Sequence, residues 1–330
     1  IAASNHPTQY QYKALLDDLY DGYGNAADVY TWMSSFDTKI ESWATEINMK
    51  TNYIYKGDCV KILDEKIDEK AVSLIFADPP YNLSGNGLKW EGNTTGGDWY
   101  MVNEEWDKMS DDDYLQFTKD WIAGCKKVLK DNGSIYISCT YHNIAEVMMV
   151  LKLLKFEVKN VIVWQKNNSM PNMTKRVFTH SVEFVVWAVN GKKWIFNYEE
   201  LKEINPDRQL NGELKQMRDF WPMPLVQGKQ RLRGGDGRAL HPTQKPEEML
   251  KRIIVASSNE GDLVLDPFMG SGTTAYVAKE LNRRWIGIEK NEKYITASKH
   301  RLGIVSSNRR IKSSNSKNCI VLSTWSEKYL

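Results

Sequence analysis

Asp78, Pro79, Pro80 and Tyr81 follow directly on the apolar run at 72–77, and these four residue types together suit one task. An acid and a neighbouring backbone carbonyl accept the two hydrogens of an exocyclic amino group, while a tyrosine face stacks on the planar ring that carries it. The prolines fix φ and remove two backbone donors, so the local carbonyls stay free to accept. Pro-Pro at this place also serves simply to end a strand, and the tetrapeptide gains its meaning from a second cluster far along the chain.

That cluster is Asp266, Pro267, Phe268, Gly270, Ser271, Gly272 and Thr273, set between the apolar run 263–265 and a helical stretch at 274–281. The next apolar run, 284–288, ends in Glu289. A glycine turn between strand and helix, with an acid about 20 residues on at the end of the next strand, is the layout of a nucleoside-binding βαβ unit. The glycines let the backbone approach the ligand, and the acid accepts from ribose hydroxyls. The turn is shorter than the Gly-x-Gly-x-x-Gly phosphate cradle, and the helix opens on threonines with no phosphate-binding lysine. This favours a nucleoside without a pyrophosphate, and S-adenosylmethionine fits better than NAD.

With these clusters go Lys56 to Cys59, Asn82, the segment 130–135, Trp164 to Asn168 and His241 to Pro246. Across about 53–302 the chain resembles the β-class DNA amino-methyltransferases, in which the amino-gripping motif precedes the cofactor motif. The resemblance implies an α/β, Rossmann-like fold, circularly permuted in motif order, with a mostly parallel, mixed seven-stranded sheet and a target-recognition insertion. It implies methyl transfer from S-adenosylmethionine to adenine N6 in a short DNA sequence, because Asp-Pro-Pro-Tyr goes mostly with adenine N6 and Ser-Pro-Pro-Tyr with cytosine N4. Cytosine N4 methylation and a non-catalytic DNA-binding subunit are the alternatives.

Adenine N6 is a weak nucleophile, its lone pair delocalised into the ring. Asp78 and the Pro79 carbonyl would hold its hydrogens, localise the lone pair and support in-line attack on the methyl group. The base would be flipped out of the duplex and stacked on Tyr81. No cysteine follows a proline, so the cysteine nucleophile of the cytosine C5 enzymes is missing. The resemblance further assigns Asp58 to the cofactor's adenine, Glu289 to its ribose, and Phe268 with the 270–273 backbone to its methionine part. Lys245 is assigned to the cofactor carboxylate, with a DNA phosphate or a structural role as alternatives; His241 reads as structural.

The elements must hold these groups together. Residues 1–50 read as a helical accessory segment, 51–197 as the catalytic half, 198–240 as the target-recognition region, 241–302 as the cofactor half and 303–330 as a basic tail. Ser110 caps a helix expected over 111–130, with three aspartates in its first turn, lysines in its last and Asn132-Gly133 as its stop. Strands are expected at 135–138, 157–164, 181–189 and 194–197, and helices at 143–154 and 244–257. The Gly- and Asn-rich loop 82–98, with Trp90, reads as a cover for the target, as a filler of the vacated stack or as a plain surface loop.

With 44 basic and 42 acidic residues the formal charge is only +2, so a nucleic-acid surface must come from local clustering. Lys175, Arg176, Arg218, Lys229, Arg231, Arg233 and Arg238 form the candidate DNA surface, where β-class enzymes carry their recognition region. Four cysteines with no close pair give neither a zinc pattern nor a disulfide framework, which suits a reducing cytosol. No stretch reaches membrane-spanning length and the start lacks a signal peptide, so a cytoplasmic protein is expected. Asn168 to Asn172, Phe196 to Tyr198, Gln216 to Asp219 and Gly235 to Ala239 resemble enzymes that methylate GANTC, whereas Phe178 to Ser181 resembles a GATC-modifying branch that also accepts single strands. The partners implied are double- or single-stranded DNA, a second copy of the chain, and a restriction endonuclease of the same sequence.

Overall fold

Val72–Ala77 is buried at every residue, so this strand must lie inside a sheet with both faces covered. The computed structural model describes residues 49–82, 109–169, 171, 175–227, 231, 232 and 244–304. The expected N-terminal helices, most of the loop 82–98 with Trp90, the basic residues Lys229, Arg233 and Arg238, His241, and the tail from 305 lie outside the described residues.

The strands are β1 (Tyr53–Lys56), β2 (Val72–Ala77), β3 (Leu129–Cys139), β4 (Glu157–Gln165), β5 (Val182–Val189), β6 (Phe220–Pro222), β7 (Leu263–Asp266) and β8 (Arg284–Glu289). The helices are α1 (Cys59–Glu65), α2 (Asp111–Val128), α3 (Ile144–Leu153), α4 (Tyr198–Ile204), α5 (Glu247–Ser257), α6 (Thr273–Glu280) and α7 (Glu292–Arg301). The sheet runs β1-β8-β7-β2-β3-β5-β4-β6. Only β5 is antiparallel to its neighbours. One set of helices, α1 to α3, packs in sequence; a second set, α4 to α6, does the same. Between strands and helices lie large buried rings, with Tyr136 stacked on Trp187 at 5.6 Å.

Three expectations need correction. The sheet has eight strands where seven were expected, and residues 194–197 are not one of them. Asn197 is pinned elsewhere: its backbone N–H donates to the Ala256 carbonyl at 2.9 Å, and its side-chain amide donates to the carbonyls of Val255 and Ser258. The segment thus closes the carboxyl end of α5 rather than joining a strand. The strand not foreseen is β6, inside the region read as target recognition; Pro222 is tolerated there because an edge strand bonds on one side only. Finally, α2 stops at Val128 rather than at Asn132-Gly133. Leu129 is fully buried and pairs with Val72, so the chain enters β3 at once, and the Asn-Gly pair falls in a register shift before Ser134 meets Leu74.

Candidate active site

β2 and β7 lie side by side in parallel, Leu74 opposite Val264 and Ile75 opposite Leu265. Beyond β7 the sheet continues to β8, and beyond β2 it continues to β3, so the strand order reverses between them. In open α/β sheets ligands bind at such a point, outside the carboxyl ends of the strands. Asp78 follows β2 and Asp266 ends β7, and the two sequence clusters meet there in an open cleft whose lining includes Asp78, Lys245, Asp266, Phe268, Ser271 and Thr273.

On the β2 side, the Asp78 carboxylate accepts from the Tyr81 hydroxyl at 2.5 Å and from the Lys245 ammonium at 2.8 Å. The Tyr81 oxygen also lies 2.8 Å from Ser138 Oγ and 3.0 Å from Lys245 Nζ. Burial, with the charges of Asp78 and Glu183, pushes the Tyr81 hydroxyl well above its ordinary value, so it stays a protonated donor. Burial works against the charge of Lys245, but Asp78 and Glu183 outweigh it and raise its value. Tyr114 donates to the Pro80 carbonyl at 2.9 Å and is itself held by Asn143, which fixes the turn after Pro79. Asn82 both donates to and accepts from the backbone of Met109, which ties the end of the Asp78–Tyr81 turn to the residue before the Ser110 cap.

On the β7 side the turn closes on itself. Asp266 accepts from the Phe268 N–H at 3.0 Å and from Thr274 Oγ1 at 2.5 Å, and burial pushes its carboxyl up to about 7 against those two bonds. Glu289 accepts from Gly270 N–H at 2.9 Å and Asn291 N–H at 2.7 Å. Burial raises it, and those N–H bonds oppose the shift. Gly272 sits at φ 75°, and a Cβ there would lie 2.9 Å from Ser298 Oγ, which donates to the Gly270 carbonyl. A Cβ at Gly287 would overlap the Met269 side chain, so that glycine lets the turn seat on β8. Phe268 meets Trp121 edge-on at 5.2 Å, and Pro267 is buried.

These residues fit S-adenosylmethionine and not a phosphate. A phosphate cradle needs open backbone N–H groups, whereas here the Gly270 N–H is already taken by a carboxylate. Phe268 presents an aromatic face to the cleft, a lining suited to a cationic sulfonium. Asp58 caps α1 through Val60 and Lys61 N–H groups and pairs with Lys290 at 2.6 Å, directly after Glu289. Burial tends to raise Asp58, and the Lys290 pair with the backbone bonds reverses this and holds it below the usual carboxylate value.

Lys245 reaches the Asp78 carboxylate from the amino end of α5. Its ammonium is directed at Asp78 and Tyr81, so the assigned partner, a cofactor carboxylate, has a rival already within the chain. Of the basic candidates, Lys175 and Arg176 are exposed in the β4–β5 connection, Arg218 is exposed and pairs with Asp207 at 3.4 Å, and Arg231 is half-buried. Sequence reasoning missed Ser138, Lys166 and Glu183, and also the exposed Tyr141, stacked on His180 at 4.7 Å. The one signal in the sequence was Glu183, an acid inside an otherwise apolar strand. Among the described residues no helix is long and apolar enough to cross a membrane.

A family model described as DNA methylase matches residues 72–300. The chain is 39% identical over 259 residues to the Type II methyltransferase M.HinfI of Haemophilus influenzae, covering 78% of this chain and 69% of the relative. It is 42% identical over 260 residues to the Type II methyltransferase M2.DpnII of Streptococcus pneumoniae, covering 77% of this chain and 91% of the relative. Among solved structures, the M1.HpyAVI–SAM complex superposes with a TM-score of 0.54 at 30% identity, over 76% of this chain and 98% of that one. The PvuII DNA methyltransferase, described as cytosine-N4-specific, gives 0.60 at 19% identity over 80% and 90%, a likeness of fold alone.

Proposed function

The chain belongs to the DNA methylase family, and from that premise we propose that it transfers a methyl group from S-adenosylmethionine to adenine N6 within a short DNA sequence. The observation that carries this reading is the Asp78 carboxylate, delivered by β2 to the same cleft as the glycine turn after β7. When bound, S-adenosylmethionine supplies an activated methyl group on a sulfonium. Asp58, Phe268, Glu289 and the 270–273 turn are the residues that would hold it, with Asp266 and Pro267 keeping that turn in shape.

Asp78 accepts one amino hydrogen of the flipped base and offsets the positive charge that develops on nitrogen as it attacks. The Pro79 carbonyl takes the second hydrogen. Tyr81, anchored through its hydroxyl to Asp78 and Ser138, keeps that carboxylate in place and offers its ring to the base. An aspartate at this place, rather than a serine, favours adenine over cytosine.

DNA would lie across the edge where β2, β3 and β7 end and β5 begins. Lys175, Arg176, Arg218 and Arg231 would neutralise phosphates there, together with Lys229, Arg233 and Arg238 from the recognition region 198–240. Phe178, 97% exposed beside Lys175 and Arg176, and the Tyr141–His180 stack supply ring faces for bases opened by flipping. A cytoplasmic location, a homodimer and a companion restriction endonuclease complete this reading.

The test is labelled methyl transfer from S-adenosylmethionine to unmethylated plasmid DNA, followed by nucleoside analysis. N6-methyladenine at one short motif is the expected product. N4-methylcytosine would overturn the base assignment, and no label on DNA would overturn the DNA substrate.

A further inference from the structure

Four charges alternate at the edge of the site: Lys166, Glu183, Lys245 and Asp78. Lys166 Nζ lies 3.0 Å from one oxygen of Glu183, and Lys245 Nζ lies 3.9 Å from the other. Lys245 Nζ is 2.8 Å from Asp78. The Lys245 side chain is 5% exposed and that of Glu183 17%, so neither can lean on bulk water. Lys166 ends the neighbouring strand region after β4, and β5, running antiparallel, brings Glu183 to the edge where β2 delivers Asp78. Tyr81 and Cys139 are the other titratable groups facing this ammonium.

The arrangement poses a conflict. The carboxylate that should accept a hydrogen of the target amino group already accepts from Tyr81 and Lys245. A lysine that simply withdrew would become an unpaired buried cation, and breaking a buried pair in that way is strongly unfavourable. We infer that Glu183 is a positioning residue of the methyl-transfer site, the second anion to which Lys245 shifts when the target amino group takes its place on Asp78. The distance suits this: 3.9 Å is about 1 Å longer than a charge-assisted hydrogen bond, within reach of a change in the lysine side chain. Lys166, 3.0 Å away, holds the Glu183 carboxylate in place. Glu183 touches neither base nor cofactor; it acts through Lys245. The inference rests on the reading that Asp78 grips the amino group.

The experiment measures single-turnover methylation, S-adenosylmethionine affinity, DNA affinity and melting temperature for Glu183→Gln, Glu183→Asp, Lys166→Met, Lys245→Met and the double variant Glu183→Gln/Lys245→Met. Glu183→Gln should slow single turnover by roughly tenfold or more, with both affinities within about twofold of wild type. Glu183→Asp should recover part of the loss, and Lys166→Met should show a smaller loss of the same kind. The double variant should be no slower than Lys245→Met alone, because Glu183 has no other route to the reaction. Losses that multiply in the double variant, or a Glu183→Gln protein that turns over at the wild-type rate, would overturn the inference while leaving the amino-gripping reading intact. A wild-type protein that methylates no DNA amino group would sink that reading and the inference with it.

Discussion

The two strand ends that face each other across the cleft are built in opposite ways. After β7, every bond that shapes the turn comes from the βαβ unit itself or the helix that follows it: Asp266 to Phe268 and Thr274, Glu289 to Gly270, Ser298 to the Gly270 carbonyl. After β2, Asp78 depends on residues far away in sequence, with Lys245 167 positions distant and Tyr81 leaning on Ser138 from β3. A locally closed turn suits a cofactor that every reaction cycle uses alike. A carboxylate shared among distant partners suits a group that must exchange partners when a base arrives.

The sharpest way to break this comparison is to neutralise Asp78 without changing its shape. Asp78→Asn should cost roughly 10²–10³-fold in single-turnover rate, as loss of a key electrostatic partner does in other enzymes. Gly272→Ala attacks the other side. Its left-handed backbone and the approach of Ser298 should cost about 1–2 kcal/mol of stability, read as a lower melting temperature, and weaken S-adenosylmethionine binding.

Asp266 sharpens the comparison through pH. Its carboxyl is raised from 3.8 to about 7 in the fold, so the folded protein takes up a proton near pH 7 that the unfolded chain takes up only near pH 4. Its contribution therefore favours folding as pH falls through this window and is lost as pH rises above it. Asp266→Asn, which stays neutral, should gain in melting temperature over the wild type by more at pH 8 than at pH 5. The smallest effect should come from the periphery. Lys175→Ala and Arg176→Ala should each lower the slope of log affinity for DNA against log salt by about 0.9, with turnover at saturating DNA unchanged.

What the sequence made legible follows the same division. The turn at 266–273 and Glu289 could be read because strand, glycine turn, helix and acid stand at fixed spacing along the chain. The central strands could be read because their apolar runs are short and continuous. Glu183, Lys166 and Ser138 could not be placed, since their relation to Asp78 exists only once β5 has turned antiparallel beside β3. β6 was hidden because three residues ending in proline carry no period. Asn197 misled because its neighbours are apolar, and only the fold shows its amide spent on the end of α5.

Calorimetric titration of S-adenosylmethionine into Asp78→Asn and Gly272→Ala, run beside the wild type, tests the division of labour most directly. Affinity close to wild type in Asp78→Asn, with several-fold weaker binding in Gly272→Ala, is the result expected if the two strand ends hold separable tasks in one cleft. Equal weakening in both proteins, or weakening in Asp78→Asn alone, would contradict it.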